Sequence, residues 1–165
     1  MVDPRSFFID RLNESDLKHI ASFDCGDAEM NRFIKEECLE EQGKGLNSTF
    51  VLYYEGRLAA FISICADRIG LVEHERDAHE LPRANIPAIK IARLGRDIHY
   101  RNLKLGAHLL KYVHLLALKL SQTELGIRLL TLDAYQNRVP YCCRSFSLSG
   151  NERLFLAKDS IDKGQ

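Results

Sequence analysis

The chain has 165 residues, of which 45% are hydrophobic and 28% charged, and its 23 basic residues balance its 23 acidic ones. That length suits one domain with a substantial core. The zero net charge lacks the strong overall positive field of a typical nucleic-acid binder.

No apolar run approaches the length of a bilayer span; the stretch 58–66 is far too short. The first residues lack a basic segment followed by an apolar one, so no secretory signal is expected. Five cysteines (Cys25, Cys38, Cys65, Cys142, Cys143) are odd in number and form no Cys-x-x-Cys pair. A disulfide framework or structural zinc site is therefore not expected, and a cytoplasmic setting is.

In chain order, residues 6–12 read as a short strand and 14–23 as a short helix with Leu17, Ile20 and Ala21 on one face. Asp27 is the expected N-cap of a helix that carries Met30, Phe33, Ile34 and Cys38 at helical spacing to about residue 42. Residues 49–54 and 57–66 are two strand-like runs around Glu55-Gly56, which reads as a hairpin. Residues 70–87 are polar and punctuated by Pro82 and Pro87, which reads as loop with a short helical piece.

Residues 88–94 then form a strand, and 105–120 a helix with Leu105, Leu109, Leu110, Val113, Leu116, Ala117 and Leu120 on its buried stripe. Gly126 ends that helix, and 127–134 is the next strand; strand, helix, strand at this spacing implies a parallel crossover. A last strand is expected near 153–158, followed by a frayed tail at 159–165. Nothing divides the chain, so one domain covering 1–165 is expected.

Charge is unevenly distributed. Residues 14–42 carry nine acids (Glu14, Asp16, Asp24, Asp27, Glu29, Glu36, Glu37, Glu40, Glu41) against Lys18, Arg32 and Lys35. Residues 86–120 carry seven bases (Lys90, Arg93, Arg96, Arg101, Lys104, Lys111, Lys119) against Asp97 alone. Two readings fit: solvated faces, or an acidic wall for a cationic substrate beside a basic wall for an anionic one.

The segment Ile89-Lys-Ile-Ala-Arg-Leu-Gly-Arg-Asp97, its basic turn and the helix after it carry the clearest chemistry. A strand that feeds a helix start through such a turn aims unpaired N–H groups and a positive dipole end at one place. A phosphate-bearing cofactor is the natural occupant.

Three stretches then carry a resemblance. Phe23-Asp-Cys-Gly-Asp-Ala-Glu-Met-Asn-Arg-Phe-Ile34 resembles the second-helix opening of toxin-type acetyltransferases, and Ile86-Pro-Ala-Ile-Lys-Ile-Ala-Arg-Leu-Gly-Arg-Asp97 resembles their central strand. Arg101-Asn-Leu-Lys-Leu-Gly-Ala107 falls where the GNAT superfamily of N-acetyltransferases carries its pyrophosphate loop. Arg101 and Gly106 fit that loop, whereas Lys104 replaces its first glycine.

The resemblance covers about residues 6–158. It implies an α/β (α+β) fold, with a mixed, mostly antiparallel central sheet flanked by helices and a central parallel strand pair. It also implies acetyl-CoA as co-substrate, no metal, and direct attack of a primary amine on the thioester. Cofactor contacts then fall on Leu94, Gly95, Arg96, Arg101, Asn102, Leu103, Lys104, Leu105, Gly106 and Ala107. The N–H groups of residues 103–107 would hold the pyrophosphate, and an amide around 94–96 would stabilise the developing oxyanion, worth roughly 3–4 kcal/mol of barrier.

Tyr141 is the implied general acid, since Tyr141-Cys-Cys-Arg-Ser-Phe146 fits the family's tyrosine segment with Ser145 in place of glycine. A phenol of pKa ~10 is protonated at neutral pH, as an acid must be; a one-residue shift places Cys142 there instead. Asp97, Asp133, Glu73 and Glu75 are alternative bases, and none stands out. His74, His79, His99, His108 and His114 match no zinc spacing.

The expected acceptor is an amine of a small molecule or protein, favoured by the acidic first helices. Aminoacyl-tRNA, the toxin branch's acceptor, ranks below it, and a non-catalytic acyl-CoA-binding module is the third reading. A homodimer is left open, as is an antitoxin partner, and no membrane contact is expected.

Overall fold

A computed structural model of the protein describes residues 6–78, 80–134 and 155–159, the last of these, with Glu75, Asp133 and Ala134, as backbone only. Its elements run β1 (Phe7–Arg11), a 3-10 turn (Glu14–Asp16), α1 (Leu17–Ile20), α2, β2 (Ser48–Tyr54), β3 (Arg57–Gly70), α3 (Glu73–Ala78), β4 (Asn85–Arg96), a 3-10 turn (Ile98–Tyr100), α4 (Leu105–Thr123), β5 (Leu129–Ala134) and β6 (Phe155–Asp159). Helix α2 comprises α-helical Ala28–Arg32, a π turn over Phe33–Glu37 and α-helical Cys38–Gly43.

The six strands follow one another in sheet order β1 to β6. The β1–β2 and β2–β3 pairs are antiparallel. The β4–β5 pair is the parallel pair that the resemblance implied, and β5–β6 adds a second parallel pairing.

The chain forms two compact units, passing between them at Cys65/Ala66, Ile91/Ala92 and Val113/His114. The first holds β1, β2, the start of β3, α1, α2, the end of β4 and the first half of α4. Its core joins Leu12, Ile20, Phe23, Phe33, Ile34, Cys38, Val51, Tyr53, Leu58 and Phe61. Burial of each large apolar side chain contributes about 1.5–3 kcal/mol.

Local chemistry explains each element of this unit. Asn13 caps the first turn: it accepts from the Ser15 N–H, and its own N–H donates to Asp16 in return. Asp27 caps α2 as expected, accepting from the Met30 N–H at 2.9 Å. Glu55 and Gly56 both have positive φ (50° and 78°), the conformation of a two-residue turn matched to strand twist, and Tyr54 pairs with Arg57 across it.

Among the described residues, the core of the second unit joins Ile69, Leu71, Ile86, Ala88 and Leu129, with Leu81 packed against it. Here β4 starts at Asn85, earlier than proline placement predicted. Pro87 is tolerated because its carbonyl, not its missing N–H, is used, accepting from the Arg128 N–H at 3.0 Å. β3 likewise outruns its expected end at residue 66, with Ile69 still buried between exposed Arg68 and Gly70. Among the described residues no helix is long and apolar enough to cross a membrane.

Candidate functional site

The expected site residues fall on the end of β4, the turn after it and the start of α4. Pairing with β5 covers Ala88–Ile91 of β4, and β4 runs on to Arg96. Leu94 and Arg96 are half-buried and Gly95 is buried. A Cβ on Gly95 would stand 2.3 Å from Cε1 of Phe61, so glycine here lets the strand backbone lie directly on a core aromatic ring. Arg96 donates from Nη1 to the Leu103 carbonyl at 3.3 Å, tying the strand end to the turn.

Asp97 ends the strand. Its N–H donates to the Ala59 carbonyl at 2.9 Å, and its carboxylate caps the 3-10 turn by accepting from the His99 N–H at 2.9 Å. The same oxygen lies 2.7 Å from His99 Nδ1. The Asp97 side chain is 6% exposed and the His99 side chain 76%, so the carboxylate faces inward and the imidazole outward.

The five expected phosphate-binding amides divide into two groups. The Leu103 N–H donates to the Tyr100 carbonyl (3.0 Å) and the Ala107 N–H to the Lys104 carbonyl (3.1 Å). Among the described residues, the N–H groups of Lys104, Leu105 and Gly106 have no hydrogen-bond partner. They sit consecutively at the start of the 19-residue helix α4, where the helix dipole adds positive potential. Arg101, Asn102 and Lys104 are exposed, and neither base has an acidic partner among the described residues. Three donors in a row, two of them on the buried residues Leu105 and Gly106, beside two exposed cations are the kind of arrangement whose chemistry suits an anion.

The basic and acidic stretches differ in what they leave free. Arg93 stacks over Phe33 (5.5 Å to the ring centroid) and meets Glu29 at 3.5 Å. Of the nine acids, seven have partners within the chain, those of Glu29, Glu37 and Glu40 being ion pairs at the surface. Asp16 accepts from Tyr53 Oη (2.6 Å) and from the Asn13 N–H, and Asp27 is the α2 cap. Asp24 accepts from Asn31 Nδ2 and the Gly26 N–H, both at 2.7 Å, which holds its carboxyl below the usual range, Asn31 contributing most. Glu29 pairs with Arg93, Glu37 with Arg32, Glu40 with Lys44, and Glu41 accepts from Asn47. The acid-rich stretch is thus largely structural.

Of the alternative bases, Asp97 is inward-facing and occupied, and exposed Glu73 meets Arg76 at 4.0 Å; the Glu75 and Asp133 side chains lie outside the described residues. So do Tyr141, Cys142 and Ser145. Burial holds the imidazoles of His108 and His114 below their ordinary pKa, with Lys111 adding to the effect at His108. Among the described residues, no cluster of three or more His, Cys, Asp or Glu could hold a metal.

Sequence reasoning weighed Asp97 only as a base and missed Asn31, Gly26 and Phe61. An Asp closing a strand two residues before a turn N–H is a readable cap signal for the first. Asn31 acts on Asp24 and Cys25, seven and six residues away, whereas Gly26 and Phe61 owe their roles to long-range contacts.

No protein-family model and no curated protein matches the chain. Solved structures do. A tyrosine-to-phenylalanine mutant of KacT superposes with a TM-score of 0.75 at 20% identity, over 84% of this chain and 85% of that one. AtaT complexed with acetyl-methionyl-tRNAfMet gives a TM-score of 0.75 at 18% identity, over 89% and 91%. A tyrosine-to-phenylalanine mutant of the AtaT toxin, bound to the C-terminus of the antitoxin AtaR and acetyl-CoA, gives 0.68 at 20% identity, over 87% and 86%. The chain therefore has the fold of these toxins, the GNAT fold that its sequence resembles.

Proposed function

We propose that this GNAT-fold chain is an acetyl-CoA-dependent N-acetyltransferase, acting as one catalytic domain, whose acceptor is the amino group of an aminoacyl-tRNA. The observation that carries the reading is the run of N–H groups at Lys104, Leu105 and Gly106 that have no partner among the described residues, beside exposed Arg101 and Lys104. This donor set suits a diphosphate: neutral N–H donors at a helix start, two cations, and the one acid of the segment, Asp97, turned inward. Likeness to KacT and AtaT supports the same reading.

Acetyl-CoA, when bound, supplies an acetyl group activated as a thioester. The proposed work of the chain is to hold and orient. Residues 104–106 grip the diphosphate through their N–H groups, and Arg101, Asn102, Leu103 and Ala107 shape that grip. Leu94, Gly95 and Arg96 offer a backbone donor to the acyl oxygen. Tyr141 Oη holds the proton for the departing sulfur, a role typically worth about 10²–10⁴-fold. The solution of tyrosine-to-phenylalanine mutants of both KacT and AtaT supports testing this tyrosine first.

The preference for aminoacyl-tRNA over a small cationic amine reverses the order drawn from sequence. That order rested on an acidic acceptor wall, and seven of its nine acids are engaged within the fold. AtaT, of the same fold, has been solved with an acetylated aminoacyl-tRNA. Zero net charge does not bar such an acceptor, because the local field decides attraction, and Arg101, Lys104 and Lys111 are all exposed. The proposed place of action is the cytoplasm, where charged tRNA is found, and an antitoxin is the proposed protein partner.

Calorimetric titration with acetyl-CoA, followed by thiol release with charged tRNA and with a panel of small amines, tests the reading. Binding with tRNA-dependent thiol release that Tyr141→Phe abolishes is the expected result. Release with small amines alone returns the acceptor to that class. Binding without release to any acceptor makes the chain an acyl-CoA-binding module, with Lys104 in place of the loop glycine as the first suspect.

A further inference from the structure

We propose that Asp97 is a positioning residue that fastens the 23–27 segment to the cofactor turn, an inference that rests on the functional reading above. Its carboxylate spans the junction between two segments 73 residues apart: one oxygen accepts from the Asp24 N–H at 3.1 Å, the other from the His99 N–H at 2.9 Å and from His99 Nδ1 at 2.7 Å. The Ile98 N–H returns the connection by donating to the Asp24 carbonyl at 2.8 Å. Two reciprocal bonds thus join Asp24 to the Asp97-Ile98 pair.

The other side of the junction is held as firmly. Asn31, one turn into α2, donates from Nδ2 to the Asp24 carboxylate (2.7 Å) and accepts from the Cys25 N–H (2.9 Å) through Oδ1. Gly26 has φ of +78°, and a Cβ there would stand 3.2 Å from Nη2 of Arg101 and 3.3 Å from Cγ2 of Ile98. The guanidinium of Arg101 therefore rests directly against the loop backbone. A continuous series of short contacts runs from α2 through Asn31, Asp24 and Asp97 to the turn that precedes the free amides.

This assigns a purpose to the Phe23-Asp-Cys-Gly-Asp-Ala-Glu-Met-Asn31 stretch beyond opening a helix. The buried carboxylate fixes the turn against α2, so that Arg101 and the amides of 104–106 hold their aim before any ligand arrives. A charged acceptor with three donors is suited to that task, because a neutral replacement leaves a donor facing a donor. Misplacement by about 1 Å can cost on the order of 10²-fold in transfer rate.

The test uses the full chain, with acetyl-CoA titrated calorimetrically and acetyl transfer measured on a pool of aminoacyl-tRNA. Asp97→Asn keeps shape and one acceptor; Gly26→Ala disturbs the same junction from the loop side. Each is expected to raise the acetyl-CoA Kd about tenfold. The double variant is expected to match the worse single one, because both act through one junction. Unchanged Kd in the folded variants, with only the melting temperature lowered, overturns the proposal; so does a double variant weakened about a hundredfold, the product of independent effects. If Asp97→Asn does not fold, Gly26→Ala alone decides by the same Kd. Wild-type protein that binds no acetyl-CoA overturns the functional reading and this one together; wild type that binds, beside variants that bind equally, overturns the positioning role alone.

Discussion

The acid-rich stretch 14–42 and the base-rich segment 86–120 are mirror images in the sequence, and the fold uses them differently. The acids cap helix starts, close the Asp24–Asn31 loop and pair with Arg32, Lys44 and Arg93. In the basic segment, Arg93 and Arg96 are tied into the fold, while Arg101 and Lys104 stand exposed beside three amides that have no partner among the described residues. A charge run is therefore informative only after its hydrogen bonds are assigned. Charges that satisfy backbone groups make structure, and charges beside unsatisfied backbone donors are where a ligand is to be sought.

The comparison can be broken at several points. The largest effect is expected at Gly95, where an added methyl would enter the Phe61 ring. Gly95→Ala should cost about 3 kcal/mol by denaturant unfolding, at the upper end of ordinary overpacking. A loss below half that value would show that Phe61 moves freely and that the strand backbone is not pinned.

Next comes Tyr53→Phe, which removes a buried hydrogen bond to the Asp16 carboxylate. Bonds to charged groups are worth about 1.5–3 kcal/mol, so stability should fall by about 2 kcal/mol with acetyl-CoA affinity unchanged. Burial, with Asp16 adding to it, pushes the Tyr53 phenol above its usual range. That bond's contribution is therefore complete below pH 10 and declines above it as the unfolded phenol ionises.

Lys104→Glu should do the reverse. It places an anion beside the free amides, weakening acetyl-CoA by about tenfold while leaving the melting temperature nearly unchanged. A comparable loss on Glu36→Lys, in the acid-rich stretch, would erase the contrast between the two regions. Asp27→Ala should cost about 1 kcal/mol of stability by denaturant unfolding, through the lost α2 cap.

The smallest expected effect is on pH dependence. His108 and His114 have folded pKa values below 6.5, because burial disfavours their charged forms. The unfolded chain binds protons first, so their contribution is complete above pH 6.5 and shrinks as pH falls below it. Denaturant midpoints measured between pH 7.5 and 5.5 should drop, and the drop should lessen in His108→Phe. An unchanged slope in that variant would remove His108 from the account.

Much of the architecture was legible because it is written in local periodicity. The apolar runs 49–54 and 57–66, the Glu55-Gly56 turn, the Asp27 cap and the leucine stripe of α4 each need only near neighbours to be read. Boundaries slipped where tertiary contacts extended an element. β3 continues to Gly70 around buried Ile69, and β4 begins before Pro87, whose carbonyl finds Arg128. The basic glycine turn was legible as the link from strand to helix, but which of its amides lack a partner among the described residues was not. That depended on the Tyr100 and Lys104 carbonyls accepting from Leu103 and Ala107.

By itself the sequence determined the kinds of element and their order, because helix, strand and turn preferences act over a few residues. Only the tertiary structure decided which charges were consumed and which remained available. It brought Asp24 to Asp97, Phe61 to Gly95 and Arg93 to Phe33, pairings between residues dozens of positions apart. Such pairings leave no local signature, because hydrogen bonding and packing depend on distance in space rather than along the chain.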